Sequence, residues 1–174
     1  TYLQSVDYRY NIRGWLTSIN SSSFWANDAI NDDADDLFGM ELLYNKTDAQ
    51  VSGALTSNLT STAYYNGNIS AIKWKIPIAG TNETDNRRSY TFTYDGASRL
   101  KEAAYQMYKP QASSWTAEQN LFNESMTYDL NGNIKTLQRN MPQAGAGAFA
   151  LSASPMDNLT YNYGPAGSES NRLM

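Results

Sequence analysis

The chain contains neither histidine nor cysteine, and the side chains whose spacing invites a chemical reading are carboxylates and aromatic rings. Without imidazole there is no serine or cysteine triad and no histidine-ligated metal. Without thiols there is no disulfide framework, no thiolate nucleophile and no cysteine zinc site. The densest carboxylate group is the run Asn31, Asp32, Asp33, Asp35 and Asp36. Several carboxylate oxygens on one loop suit a hard cation, but a calcium loop also needs Gly at its sixth place and Glu at its twelfth. Counted from Asn31, those places hold Asp36 and Leu42. The run therefore reads as a solvated, Asx-rich loop, and no metal or cofactor is expected.

A second carboxylate chemistry, glycoside hydrolysis, needs two acids about 5 to 9 Å apart across a sugar. No pairing among the acidic residues announces itself. Asp95 and Asp129 each follow a tyrosine and precede a turn, where a carboxylate accepts hydrogen bonds from backbone N–H groups just downstream. That is a structural task, and no catalytic residue is expected. Aromatic rings are the better candidates for a binding surface, since Trp and Tyr offer an apolar face with a polar tip. Trp15 and Trp74 lie inside repeated motifs and read as core or cross-strand pairs. Trp25 and Trp115 lie in irregular stretches, and these two are the candidate ligand contacts.

The elements that must position these residues are strands. The 174 residues amount to about one domain. Leu, Ile, Val and Phe make up only about 17% of the chain, under the roughly 20% at which disorder becomes an option. Disorder also calls for few aromatics and high net charge, whereas this chain carries 13 Tyr, 4 Trp and a net charge of −4. A folded chain with a Tyr- and Trp-rich core is expected. A pI near 4.7 argues against a nucleic-acid partner, and no apolar run is long enough to span a membrane as a helix. The start at Thr1 rather than Met suggests an internal fragment.

Self-similarity is the organising feature. Aromatic residues followed by Asn, Asp or Gly recur at Tyr10, Tyr44, Tyr65, Tyr94, Tyr128 and Tyr163, and most are followed by a short turn and apolar residues three apart. Alternation such as Tyr90-Thr91-Phe92-Thr93-Tyr94 has the period of a strand. Asn66-Gly67 and Asn131-Gly132 supply residues that tolerate positive φ in tight hairpin turns. The pairs Leu16/Ile19, Ile69/Ile72 and Ile134/Leu137 cannot share a face of a regular strand, so either a bulge intervenes or both faces are covered. Residues 97–108 fit helical spacing as well, but their position after a repeat turn favours strand. Stretches near 20–36, 46–62 and 140–156 interrupt the pattern and read as loops or insertions in a single repeat-containing unit spanning 1–174.

The segments YNIRGWLTSIN (10–20), DLFGMELLYN (36–45), YNGNISAIKW (65–74), YDGASRLKEAAY (94–105) and YDLNGNIKTLQR (128–139) carry a family resemblance. The chain resembles the Rhs, or YD-repeat, family, in particular the large Rhs-type surface proteins of Bacteroidetes. The resemblance implies an all-β fold, with antiparallel hairpin repeats forming a curved or spiralling sheet, part of a shell that encloses a C-terminal toxin or other cargo. Larger relatives include insecticidal toxin-complex shells and the teneurins. The chain departs from the full pattern: it has too few repeats to close a shell, and it lacks the family's core motif with the paired aspartates used for self-cleavage. What the resemblance implies is a non-catalytic structural segment, extracellular or at a bacterial cell surface. Its partners would be neighbouring repeats and a C-terminal effector, and open strand edges would favour self-association. The alternative is a carbohydrate- or protein-binding surface module, an adhesin, using Trp25 and Trp115.

Overall fold

The computed structural model describes residues 5–22, 36–46, 59–76, 86–118, 120–144 and 151–164. Among these described residues the fold is all-β, as expected, with ten antiparallel strands. They are β1 (Tyr8–Tyr10), β2 (Leu16–Ile19), β3 (Gly39–Leu43), β4 (Ala71–Lys75), β5 (Arg88–Tyr94), β6 (Leu100–Lys109), β7 (Ser114–Ala117), β8 (Glu124–Tyr128), β9 (Ile134–Ala144) and β10 (Leu151–Thr160). Hydrogen-bonded neighbours follow chain order, except that β8 follows β6 and β7 pairs with β6 off this path. The ambiguous segment after Asp95 is strand β6, as its place in the repeat required.

Two compact units are present, one of Thr1–Phe92 with Gln106–Ala117 and one of Thr93–Tyr105 with Glu118–Met174. In the first, β1 to β5 pair in sequence and the end of β6 folds back on β7 through a 3-10 turn at Pro110–Ala112. In the second, the start of β6 pairs with β8, then β9, then β10.

The stretch near 140–156, expected as a loop, largely belongs to a hairpin instead, since β9 and β10 pair through Ala144 and Leu151. Both of its prolines lie within the paired strands, Pro142 opposite Ala153 and Pro155 opposite Asn140. Pro155 sits beside a register shift on the terminal strand β10, a position where proline is tolerated.

Two of the three paired apolar sets, Leu16/Ile19 and Ile134/Leu137, are explained by bulges. Tyr8 and Tyr10 face Ile19 and Leu16, with Thr17 the extra residue on β2. Likewise Met126 and Tyr128 face Leu137 and Ile134, with Lys135 the extra residue on β9. One inserted residue converts a three-residue spacing into a shared face.

The expectation of an aromatic core needs correction. Within the first unit, Ser18, Glu41, Lys73 and Ser89 lie directly opposite one another on β2, β3, β4 and β5, and all four are buried. The residues beside them on the other face (Ile19, Met40, Trp74 and Arg88) are only half-buried. The usual polar-out, apolar-in alternation is thus reversed along this row. Its centre is an ion pair, Lys73 Nζ to Glu41 Oε2 at 2.7 Å, with side-chain exposures of 0% and 2%. The Ser22 amide and hydroxyl donate to the other Glu41 oxygen at 3.1 and 2.8 Å. A buried carboxylate persists only when its charge and lone pairs are met in this way. One step along the same face, Leu43 and Ala71 join Leu59 in the small apolar cluster of this unit. Two tyrosines, Tyr44 and Tyr105, are buried among the described residues, while Trp15, Trp74 and Trp115 are half-buried.

Candidate functional site

The residues that repeat are the ones that do the same work at several places, and the turn residue is the first of them. Asn11 Oδ1 accepts the amides of Arg13 and Trp15 at 2.9 and 3.0 Å. Asp95 Oδ1 accepts those of Ala97 and Arg99 at 2.9 and 3.0 Å. Asp129 Oδ1 accepts that of Asn133 at 2.8 Å, and its other oxygen accepts the Asn133 side chain at 2.9 Å. The backbone closes the same loop each time: the turn residue's N–H donates to the carbonyl four residues on, at 2.9 Å for Asn11 and Asp95 and 3.0 Å for Asp129.

The fourth residue of each loop takes positive φ: Gly14 at 75°, Ser98 at 63° and Gly132 at 91°. Asn131 does not. The loops are therefore three-residue connections ending in a left-handed residue, and of Asn131-Gly132 only the glycine takes the positive φ.

These bonds set the carboxyl acidity. The Arg99 amide, followed by the Arg99 side chain, holds Asp95 below the usual carboxylate range. Asn133, through its side chain and then its amide, does the same for Asp129. Arg99 Nε and Nη2 both reach Asp95 Oδ2 at 2.6 Å, so both Asp95 oxygens are occupied.

The second recurring residue is the tyrosine before the turn. Tyr44 Oη donates to the Leu16 carbonyl at 3.0 Å, and Tyr128 Oη donates to the Leu100 carbonyl at 2.7 Å, each bond spanning 28 residues. In both cases the acceptor is the first residue after the preceding hairpin loop. In both cases the facing strands pair at only two positions beyond it: Ser18 with Glu41 and Ile19 with Met40, then Glu102 with Ser125 and Ala103 with Glu124. The side chain closing the preceding loop covers the tyrosine ring. Trp15 lies 5.1 Å from Tyr44, and the Arg99 guanidinium sits 4.6 Å over Tyr128. Burial pushes the Tyr44 phenol up, so it remains a donor.

Each residue of the first junction thus has its counterpart 84 positions further on, Leu16 to Leu100 and Tyr44 to Tyr128. The signal was present in the sequence as the equal spacing of Tyr10 to Tyr44 and Tyr94 to Tyr128, but the role of the phenol was not.

Not every anchor tyrosine takes this role. Tyr65 is exposed, and its carbonyl accepts Arg13 Nη1 at 2.7 Å. Beside it Gly67, at φ 100°, runs under Trp15, whose Cζ2 would lie 3.1 Å from any added Cβ. Trp115, a candidate ligand contact, lies on β7, packed on the Leu43–Leu59–Ala71 cluster and 5.5 Å from the Tyr108 ring. Trp74 stacks on Tyr90 at 5.8 Å and 20°. Trp25 and the acidic run from Asn31 to Asp35 lie outside the described residues, and Asp36 is buried. Among the described residues no group of three His, Cys, Asp or Glu side chains is placed to hold a metal.

No protein-family model matches the chain, and no curated protein sequence matches it.

Proposed function

We propose that the chain is a non-catalytic wall segment of a large Rhs/YD-repeat polypeptide, secreted or displayed at a bacterial cell surface. There it contributes to a β-shell that encapsulates or presents a C-terminal effector. The observation that carries the reading is the junction built twice in one register. In each copy a tyrosine hydroxyl ties one hairpin to the strand of the hairpin before it. A repeat unit of this kind stabilises mainly through its neighbours, which is what a wall requires.

Among the described residues, those that would otherwise suggest catalysis or ligand stacking are in use within the chain. Both oxygens of Asp95 and of Asp129 accept turn hydrogen bonds. Trp15 packs on Tyr44, Trp74 on Tyr90 and Trp115 on Tyr108.

The test is electron cryomicroscopy, with limited proteolysis, of the polypeptide that carries these hairpins. A continuous β-wall with a protease-protected C-terminal domain is expected. Separate sheet modules with that domain freely cleaved would overturn the reading.

A further inference from the structure

The two junctions share a frame but not a charge. Where β2 and β3 part beyond their two paired positions, a cavity of about 200 Å3 opens. Its lining includes the buried residues Glu41, Leu42 and Tyr44 and the exposed cations Arg9 and Lys46. The Glu41 carboxylate contributes little free charge, because Lys73 and Ser22 engage both of its oxygens. Arg9 and Lys46 make no ion pair among the described residues. Two cations therefore face one small cavity in a chain whose net charge is −4.

Around them stand neutral hydrogen-bonding groups. Asn11 spends its Oδ1 on the turn, which leaves the Nδ2 as a donor, and Asn45 also lines the cavity. The second junction is a built-in comparison. Counting 84 positions on from Arg9, Asn11, Asn45 and Lys46 gives Thr93, Asp95, Asp129 and Leu130, so the same frame there carries two carboxylates and no cation at these places.

We propose that the first junction binds an acidic monosaccharide, a hexuronate-type ring. Arg9 and Lys46 would take its carboxylate, and Asn11 and Asn45 its hydroxyls. Guanidinium matches carboxylate geometry, and side-chain amides hydrogen-bond sugar hydroxyls. The cavity is smaller than the roughly 300–1,000 Å3 of drug-sized sites, which fits a single ring. The inference does not depend on the wall reading, since a shell segment and a surface module could each carry such a site.

The experiment is an NMR titration of the chain with sodium glucuronate, glucose, acetate and phosphate at low salt. Glucuronate is expected to bind with a dissociation constant of about 1 mM, the scale for so few atoms, shifting the Asn11, Asn45 and Lys46 signals. Arg9→Gln/Lys46→Gln should weaken it at least tenfold. Asn45→Asp, the second junction's residue, should weaken it too, and added salt should act in the same direction. These are exposed positions, so an unchanged circular dichroism spectrum verifies that each variant folds. No shifts with glucuronate, equal binding of glucose, or equal binding of acetate or phosphate would each overturn the assignment. Unaltered binding by the double variant would do so as well.

Discussion

At the residue scale, the turn carboxylates act through oxygens that accept backbone amides, and Asn11 shows that an amide side chain performs the same task. The charge adds a pH dependence. Asp95 and Asp129 have lowered pKa values in the folded chain. Their stabilising contribution is therefore fully present above the unfolded carboxylate value of about 3.9, and it is lost as pH falls through the folded values. Urea midpoints measured from pH 6 to pH 2 should fall less steeply in Asp95→Asn/Asp129→Asn than in the parent chain. Parallel curves would contradict a role for the charge.

The left-handed position allows a second test. Ser98 stands at φ 63° where the equivalent loops have Gly14 and Gly132. An L-residue there costs about 1–2 kcal/mol. Ser98→Gly should raise the melting temperature and Gly132→Ser lower it, each by about 1 kcal/mol of stability.

At the element scale, strands are held by what crosses between them. The row Ser18–Glu41–Lys73–Ser89 crosses four strands with a buried ion pair at its centre. Removing one member leaves an uncompensated buried charge, so Lys73→Met should cost about 3–5 kcal/mol in chemical denaturation. Adding Glu41→Gln should recover part of that loss, because a neutral amide oxygen still accepts from Ser22. If the double variant is as unstable as the single one, the charge is not the source of the cost.

The row also shows where reading by element failed. Alternation identified the strands correctly, as with Tyr90 to Tyr94 within β5, but it assigned the aromatic face to the interior. Burial is decided by what packs on each face of a sheet, and period two is the same whichever face that is.

At the scale of the whole molecule, the β1–β2–β3 frame recurs as the end of β5 with β6 and β8. The two tyrosine bonds share no partner residue. Tyr44→Phe and Tyr128→Phe should each cost about 1 kcal/mol, the usual net worth of one hydrogen bond. The double variant should lose the sum to within about 0.5 kcal/mol. A larger interaction energy from the double-mutant cycle would mean that the junctions are coupled.

The sequence by itself determined the class of fold, the hairpin loops and the residues at their corners. Those properties arise from neighbours in the chain: period two in Tyr90 to Tyr94, an Asx side chain bonding its own backbone, and a residue that tolerates positive φ. It left two explanations for Leu16/Ile19 and Ile134/Leu137, and bulges at Thr17 and Lys135 decided between them, because a bulge is defined by the facing strand. The candidate site was legible only as a list of tyrosines. Which phenol reaches which carbonyl depends on bonds spanning 28 residues, and the placement of Arg9 and Lys46 at one cavity depends on where β2 and β3 part. Such contacts join residues with no local relation, so only the tertiary structure could decide them.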